Sequence, residues 1–232
     1  GQVLTSGGAG AAVAWETVAG GLTGKVEGTN FSNSLLVGHS TTGTLNNAHS
    51  NTGVGLDALN SVTSGTNNTG VGYNTLTDAT NAARNTGIGG NACANISDSE
   101  DNTGLGNAAI YTATTADANT GLGAYALYLA TGSYNTALGK DSGRAVAAGT
   151  YNLTLGYDSG DNITSGSGNI IIGTADAAAA DSARTFKVVS YDGSSTTNHI
   201  ISDSSGNMTF AGTANAAGGQ LTTTGKSLVM GF

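Results

Sequence analysis

Aliphatic residues return along this chain at one interval, each just ahead of a glycine: Val37, Val54, Val71, Ile88, Leu105, Leu122, Leu138, Leu155 and Ile172. The glycines that follow them, from Gly38 through Gly55, Gly72, Gly89, Gly106, Gly123, Gly139 and Gly156 to Gly173, lie seventeen residues apart, except for one step of sixteen to Gly139. Three and four residues past each glycine come pairs such as Ala58-Leu59, Thr75-Leu76, Ala92-Cys93, Ala109-Ile110 and Ala126-Leu127. Seven residues past it come Leu45, Val62, Ala79, Ile96, Ala113, Ala130, Val146 and Ile163. Gly, Asn, Asp and Ser separate these apolar pieces. Amphipathic helices need helical spacing sustained over about ten positions, which this pattern lacks. It predicts two short strands and two turns per coil, each coil stacked on the next as a parallel β-solenoid. At about 4.7–4.9 Å per coil the array is a rod of roughly 40 Å.

The polar positions repeat as strictly. The motif Asn-Thr-Gly-[Val/Ile/Leu]-Gly starts at Asn51, Asn68, Asn85, Asn102 and Asn119, and its Asn column continues through Asn135, Asn152 and Asn169. Stacked amides can bond along the axis as a ladder, and Asn tolerates tight backbone. The recurring Gly supplies positive φ or close approach between coils. The aliphatic of each motif is read as facing the core.

Composition narrows the function. Charged residues are 9% and hydrophobic ones 38%, unlike a disordered chain. The 38 glycines have no three-residue period, which excludes collagen. Aromatics are 6%, too few for a large globular core but enough for a thin solenoid. A net charge of −8 with no basic stretch argues against nucleic acid and against an anionic membrane surface. No apolar run approaches the roughly 20 residues of a membrane helix, so membrane insertion is not expected. A lone Cys93 excludes an intrachain disulfide framework. The start at Gly1 suggests a processed end or a piece of a longer chain.

The texture divides the chain into an N-terminal lead-in or linker (1–32), a repeat shaft (33–173) and a β-rich C-terminal cap or tip (174–232). In the last part, Thr185–Tyr191, His199–Ile201, Asn207–Phe210 and Lys226–Phe232 read as strands, with Asp192-Gly193 as a turn. A cap shields the open end of a solenoid, whose strand edge is otherwise unpaired.

The Asn-Thr-Gly-[Val/Ile/Leu]-Gly-x-[Asn/Asp]-Ala-Leu units resemble the repeats of bacteriophage tail fibres and related fibrous virion proteins. They are also similar to the head repeats of trimeric autotransporter adhesins. The resemblance covers residues 33–173, about 60% of the chain. Gly1-Gln2-Val3-Leu4-Thr5-Ser6 through Trp15 resembles a segment common in phage tail fibres, and Ile201–Gly212 is similar to hairpin units near fibre ends. An autotransporter reading expects a C-terminal membrane anchor, and the absence of one here favours the phage reading. The resemblance implies an all-β, left-handed parallel β-roll or β-helix of about nine coils, with three chains around a shared axis.

Candidate chemistry is sparse. The glycines recur in every coil and precede no helix, unlike a dinucleotide loop. His39, His49 and His199 have no Cys or carboxylate at metal-ligand spacing, so no metal or cofactor is expected. Asp158 and Asp161 look like a calcium-loop fragment, but turn formation is the reading taken. The scattered carboxylates offer no glycosidase pair. Cys93 reads as a core residue and Trp15 as a packing anchor. Tyr73, Tyr111, Tyr125, Tyr128, Tyr134, Tyr151 and Tyr157 cluster in or beside the repeats, either for packing or for contact with a glycan or host protein.

The expected function is a non-enzymatic, structural and adhesive virion fibre. It is a homotrimer joined to other virion or tail proteins on its N-terminal side and directed at a host receptor, glycan or protein. No receptor-binding residue is singled out. One alternative is an ice- or crystal-binding solenoid using Thr52, Thr69, Thr86, Thr103, Thr120 and Thr136, with further hydroxyls seven or eight residues past each Gly. The other is a bacterial surface adhesin fragment, at the cell surface instead of on a virion.

Overall fold

A computed structural model of the chain describes residues 2–5, 14–17, 24–28, 30–38 and 42–210. Regular structure among these residues is all β, with no helix. Strands β1 (Gln2–Thr5) and β2 (Ala14–Thr17) pair antiparallel as a two-stranded sheet. A fourteen-stranded sheet holds the others. At its start β3 (Gly24–Gly28) runs antiparallel to β4 (Phe31–Val37). β4 is also parallel to β5 (Ala48–His49) and β6 (Thr52–Val54).

From β6 onward each coil adds one three-residue strand in parallel register. These are β7 (Thr69–Val71), β8 (Thr86–Ile88), β9 (Thr103–Leu105), β10 (Thr120–Leu122), β11 (Thr136–Leu138), β12 (Leu153–Leu155) and β13 (Ile170–Ile172). The fold is therefore the expected parallel β-solenoid of about nine coils. β14 (Phe186–Tyr191) adds a last parallel rung on β13, and β15 (Thr196–Ser202) and β16 (Met208–Phe210) continue it antiparallel. The strand expected at 226–232 lies outside the described residues.

The second apolar segment of each coil, residues 58–62 in the first motif's coil, forms turns in place of the expected strand, and single-residue bridges beyond it join His49, Thr66, Ala83 and Glu100. The cause is local. The N–H groups of Thr63, Ser64 and Gly65 all donate to the Thr80 carbonyl, at 3.0 Å each. Three successive donors converging on one acceptor make a tight turn and leave no extended ladder.

Strand alternation sorts the motif. Asn and the central Gly point into the coil, whereas Thr and the aliphatic point out. The inward reading of the aliphatic column is thus overturned: Val54, Ile88, Leu105 and Leu138 are 39, 40, 44 and 46% exposed. The core comes instead from the columns four and seven residues past each glycine, including Leu59, Leu76, Cys93, Ile110 and Leu127, and Val62, Ile96, Val146 and Ile163. The central Gly faces the first of these. A Cβ on Gly104 would lie 2.6 Å from Cys93 Sγ. Further along, Gly143 and Gly160 replace the large residue, and Ala137, Thr154 and Ile171 replace the small one. Volume is exchanged across the coil and close packing is kept.

The recurring Gly is required where coils touch. Gly72 has φ +136, and a Cβ there would lie 2.7 Å from the Gly89 carbonyl oxygen. The buried Asn column forms the expected ladder. Asn68 N–H and Nδ2 both donate to Asn51 Oδ1 (3.0 and 3.1 Å), and Nδ2 also donates to the Ala82 carbonyl at 2.7 Å. The acceptor half repeats unbroken to Asn169, whose Oδ1 accepts from Thr185 N–H at 3.0 Å.

One rung is incomplete. Asn119 Nδ2 has no partner among the described residues. Elsewhere that group donates to a carbonyl fourteen residues ahead, and the sixteen-residue coil after Asn119 moves that carbonyl out of place. Asn85→Ala removes donor bonds and an acceptor and leaves the buried N–H of Asn102 without its partner, so it should cost about 3 kcal/mol. Asn119→Ala loses only the acceptor, which predicts a smaller drop in the urea unfolding midpoint. Equal drops would contradict this assignment.

Candidate functional site

The front of each coil carries two outward-facing columns, exposed or half-buried. Thr52, Thr69, Thr86, Thr103, Thr120 and Thr136 form one, continued by Leu153 and Ile170, and the outward aliphatics form the other. Successive strands hold the two columns in register, Thr over Thr and aliphatic over aliphatic. The result is a stripe along the solenoid, apolar on one side and hydroxylated on the other.

The wall across the core carries a second feature. Tyr111, Tyr128, Arg144 and Asp161 all fall five residues past a recurring glycine, so they sit in one column over four adjacent coils. Tyr111 and Tyr128 stack with centroids 5.0 Å apart and planes 12° from parallel. Tyr125 meets Tyr128 edge-on at 5.7 Å. The Arg144 guanidinium lies 5.5 Å from the Tyr125 ring centre and 5.8 Å from that of Tyr128. Asp141, itself buried, pairs with Lys140 and, at 3.7 Å, with Arg144. Beside this row is a cleft of about 240 Å³ lined by Tyr128, Leu129, Arg144, Ala145 and Asp161.

The other candidates are placed as follows. Cys93 is buried in the core column, and burial pushes its thiol up to about 12, so it stays protonated at neutral pH. His49 lies near Ser50 Oγ (3.3 Å), His199 is exposed on β15 beside Ser190 Oγ (2.9 Å), and His39 is outside the described residues. No group of three metal-ligating side chains occurs among the described residues. Trp15 lies on β2, and its side chain is outside the description. Tyr73 and Tyr157 are exposed, and Tyr134 stacks on Tyr151 at 4.8 Å in the open. Arg144 was not singled out from the sequence, although the glycine-aligned column that holds Tyr128 and Asp161 also holds it. A larger cleft of about 630 Å³ lies under the C-terminal strands, between the 178–185 loop and the β15–β16 turn. Its Asp203 carboxylate is held low by bonds from the Asn207 side chain and the Asn207, Ser205 and Gly206 backbone.

No helix among the described residues is long and apolar enough to cross a membrane. No family model matches the chain, and neither the curated proteins nor the solved structures yield a match.

Burial pushes the Asp161 carboxyl up to about 7, and the facing Asp176 and Asp158 carboxylates add to the effect. The folded chain thus holds a proton that the unfolded chain releases near the ordinary value of 3.8. The stabilising effect of that proton is complete at acid pH and is lost as pH rises through about 7. Asp161→Asn should therefore raise the melting temperature above wild type at pH 8, with the difference shrinking towards nothing near pH 4. A pH-independent difference would show that the carboxyl is not held this way.

Proposed function

We propose that this chain is the shaft of a homotrimeric, non-enzymatic virion fibre of the bacteriophage tail-fibre kind, with attachment to a host surface as its task. The observation that carries the reading is the outward aliphatic column. A contiguous apolar stripe running the length of a rod marks a surface that another molecule covers. Every copy of the chain presents the same stripe at the same rise, so copies laid side by side match coil for coil. A rotationally symmetric arrangement buries all the stripes at once around a common axis and closes the assembly. The threefold count and the virion setting rest on the repeat resemblance. In this arrangement the N-terminal side joins the rest of the particle and the back wall and tip face outward.

One observation favours a second reading, a single-chain ice- or crystal-binding solenoid. The Thr column faces outward on a parallel sheet, with Thr52, Thr103 and Thr136 exposed and Thr69, Thr86 and Thr120 half-buried, spaced at about 4.7–4.9 Å. Light scattering separates the two. Wild type should have a mass three times 22.6 kDa, and Leu105→Asp with Leu138→Asp should dissociate it, because paired copies cannot bury those carboxylates. A wild-type monomer that inhibits ice growth would replace the fibre reading with the second.

A further inference from the structure

We infer that the cleft bounded by Tyr128, Leu129, Arg144, Ala145 and Asp161 binds a neutral pyranose unit of a saccharide. This deepens the adhesive part of the reading above by naming a ligand class and a place for it.

The cleft is supported as a preformed site. The chain has seven Lys and Arg residues, and two of them, Lys140 and Arg144, stand here on one buried carboxylate, Asp141. Each also lies over a tyrosine, Lys140 at 5.3 Å from the centre of the Tyr157 ring and Arg144 over Tyr125 and Tyr128. Arg144 therefore keeps donors open to solvent beside the two rings and the Asp141 carboxylate. Tyr125 takes a left-handed φ of 59°, where other coils place Asp57, Asn74, Asn91 and Asp158. A turn position that other coils fill with a short polar residue is here given to an aromatic ring, which meets Tyr128 edge-on and lies under Arg144. The one sixteen-residue coil is also the coil that carries Tyr125, Tyr128 and Leu129.

Shape and charge select the ligand. Leu129, Ala145 and the edge of the Tyr128 ring, which is stacked on Tyr111, give an apolar wall for the C–H groups of a sugar. Arg144 supplies donors and Asp161 an acceptor for its hydroxyls, so the cleft pairs an apolar lining with a few converging polar groups. The volume, about 240 Å³, lies below that of drug-sized pockets and suits one sugar ring. Asp141, Asp158 and Asp176 outnumber Lys140 and Arg144, and the whole chain is at −8, so an anionic sugar or nucleic acid is disfavoured. The cleft lies across the core from the apolar stripe and stays open when copies pack through that stripe.

An array of neutral hexose and N-acetylhexosamine oligosaccharides, with sialylated and uronic acid-bearing ones alongside, tests the inference on the full chain. Wild type should be retained on at least one neutral class. Arg144→Gln and Tyr128→Ala should each weaken that retention by about 10-fold, Tyr128→Phe should preserve it, and Asp203→Asn in the C-terminal cleft should leave it unchanged. If Tyr128→Ala fails to fold by circular dichroism, the exposed Arg144→Gln decides alone. Retention on no glycan, on acidic glycans only, or equally strong with Arg144→Gln overturns the site. The mass of the same samples keeps the two proposals apart: a trimer without retention overturns this site alone, and a monomer that is retained overturns the trimeric shaft alone.

Discussion

The buried asparagine ladder is the constraint on which the other features of this shaft depend. Each amide oxygen takes the backbone N–H of the next coil's asparagine, so the backbone and side chain of one rung are tied to the next. A buried amide that misses its partners loses solvation without compensation, which makes an error in coil length costly. The sixteen-residue coil shows how far the ladder bends. Asn135 still reaches Asn119 Oδ1, at 2.9 and 3.2 Å, while the Asn119 Nδ2 is left over. The missing residue is taken from the exposed turn of the back wall, where its loss leaves the strand register intact.

With Asn facing inward, the pleat dictates the next three residues: Thr out, Gly in, aliphatic out. The inward Gly lets the opposite wall send Leu or Ile across the coil, and Gly143 and Gly160 reverse that exchange when Thr154 and Ile171 fill the other side. The core is thus thin, made of two columns of small or aliphatic residues, and filled within each coil. The hydrophobic residues left over stand outside, in line. The proposed association of copies would cover these residues, which the ladder of polar side chains keeps out of the interior.

The coil period, its turns and its core columns were legible in the sequence because each rests on an identity repeated at one spacing. The direction of the aliphatic column was not. Hydrophobicity argues for burial of Val54 or Leu105 when each coil is treated as a closed unit, and only the parity set by the buried Asn51 and Asn102 reverses it. The second strand was lost for a different reason: the backbone of residues 63–65 folds onto one carbonyl, a turn that apolar periodicity does not encode. The Tyr128–Arg144–Asp161 column was readable in principle. It went unread because spacing along the chain hides neighbours that stacking brings within one coil rise.

The solenoid then has two distinct walls, an apolar front, where the proposed contact between copies lies, and a back whose few charges and rings are grouped. The most direct test asks which wall lies between copies. Nitroxides placed by Leu105→Cys on the front and, separately, by Thr114→Cys on the back, each in a Cys93→Ala chain, report this by pulsed dipolar spectroscopy. Strong coupling with one short distance from position 105, and weak or long-range coupling from 114, is the predicted result. Absence of coupling at 105, or short distances from 114 alone, would contradict a front-to-front shaft.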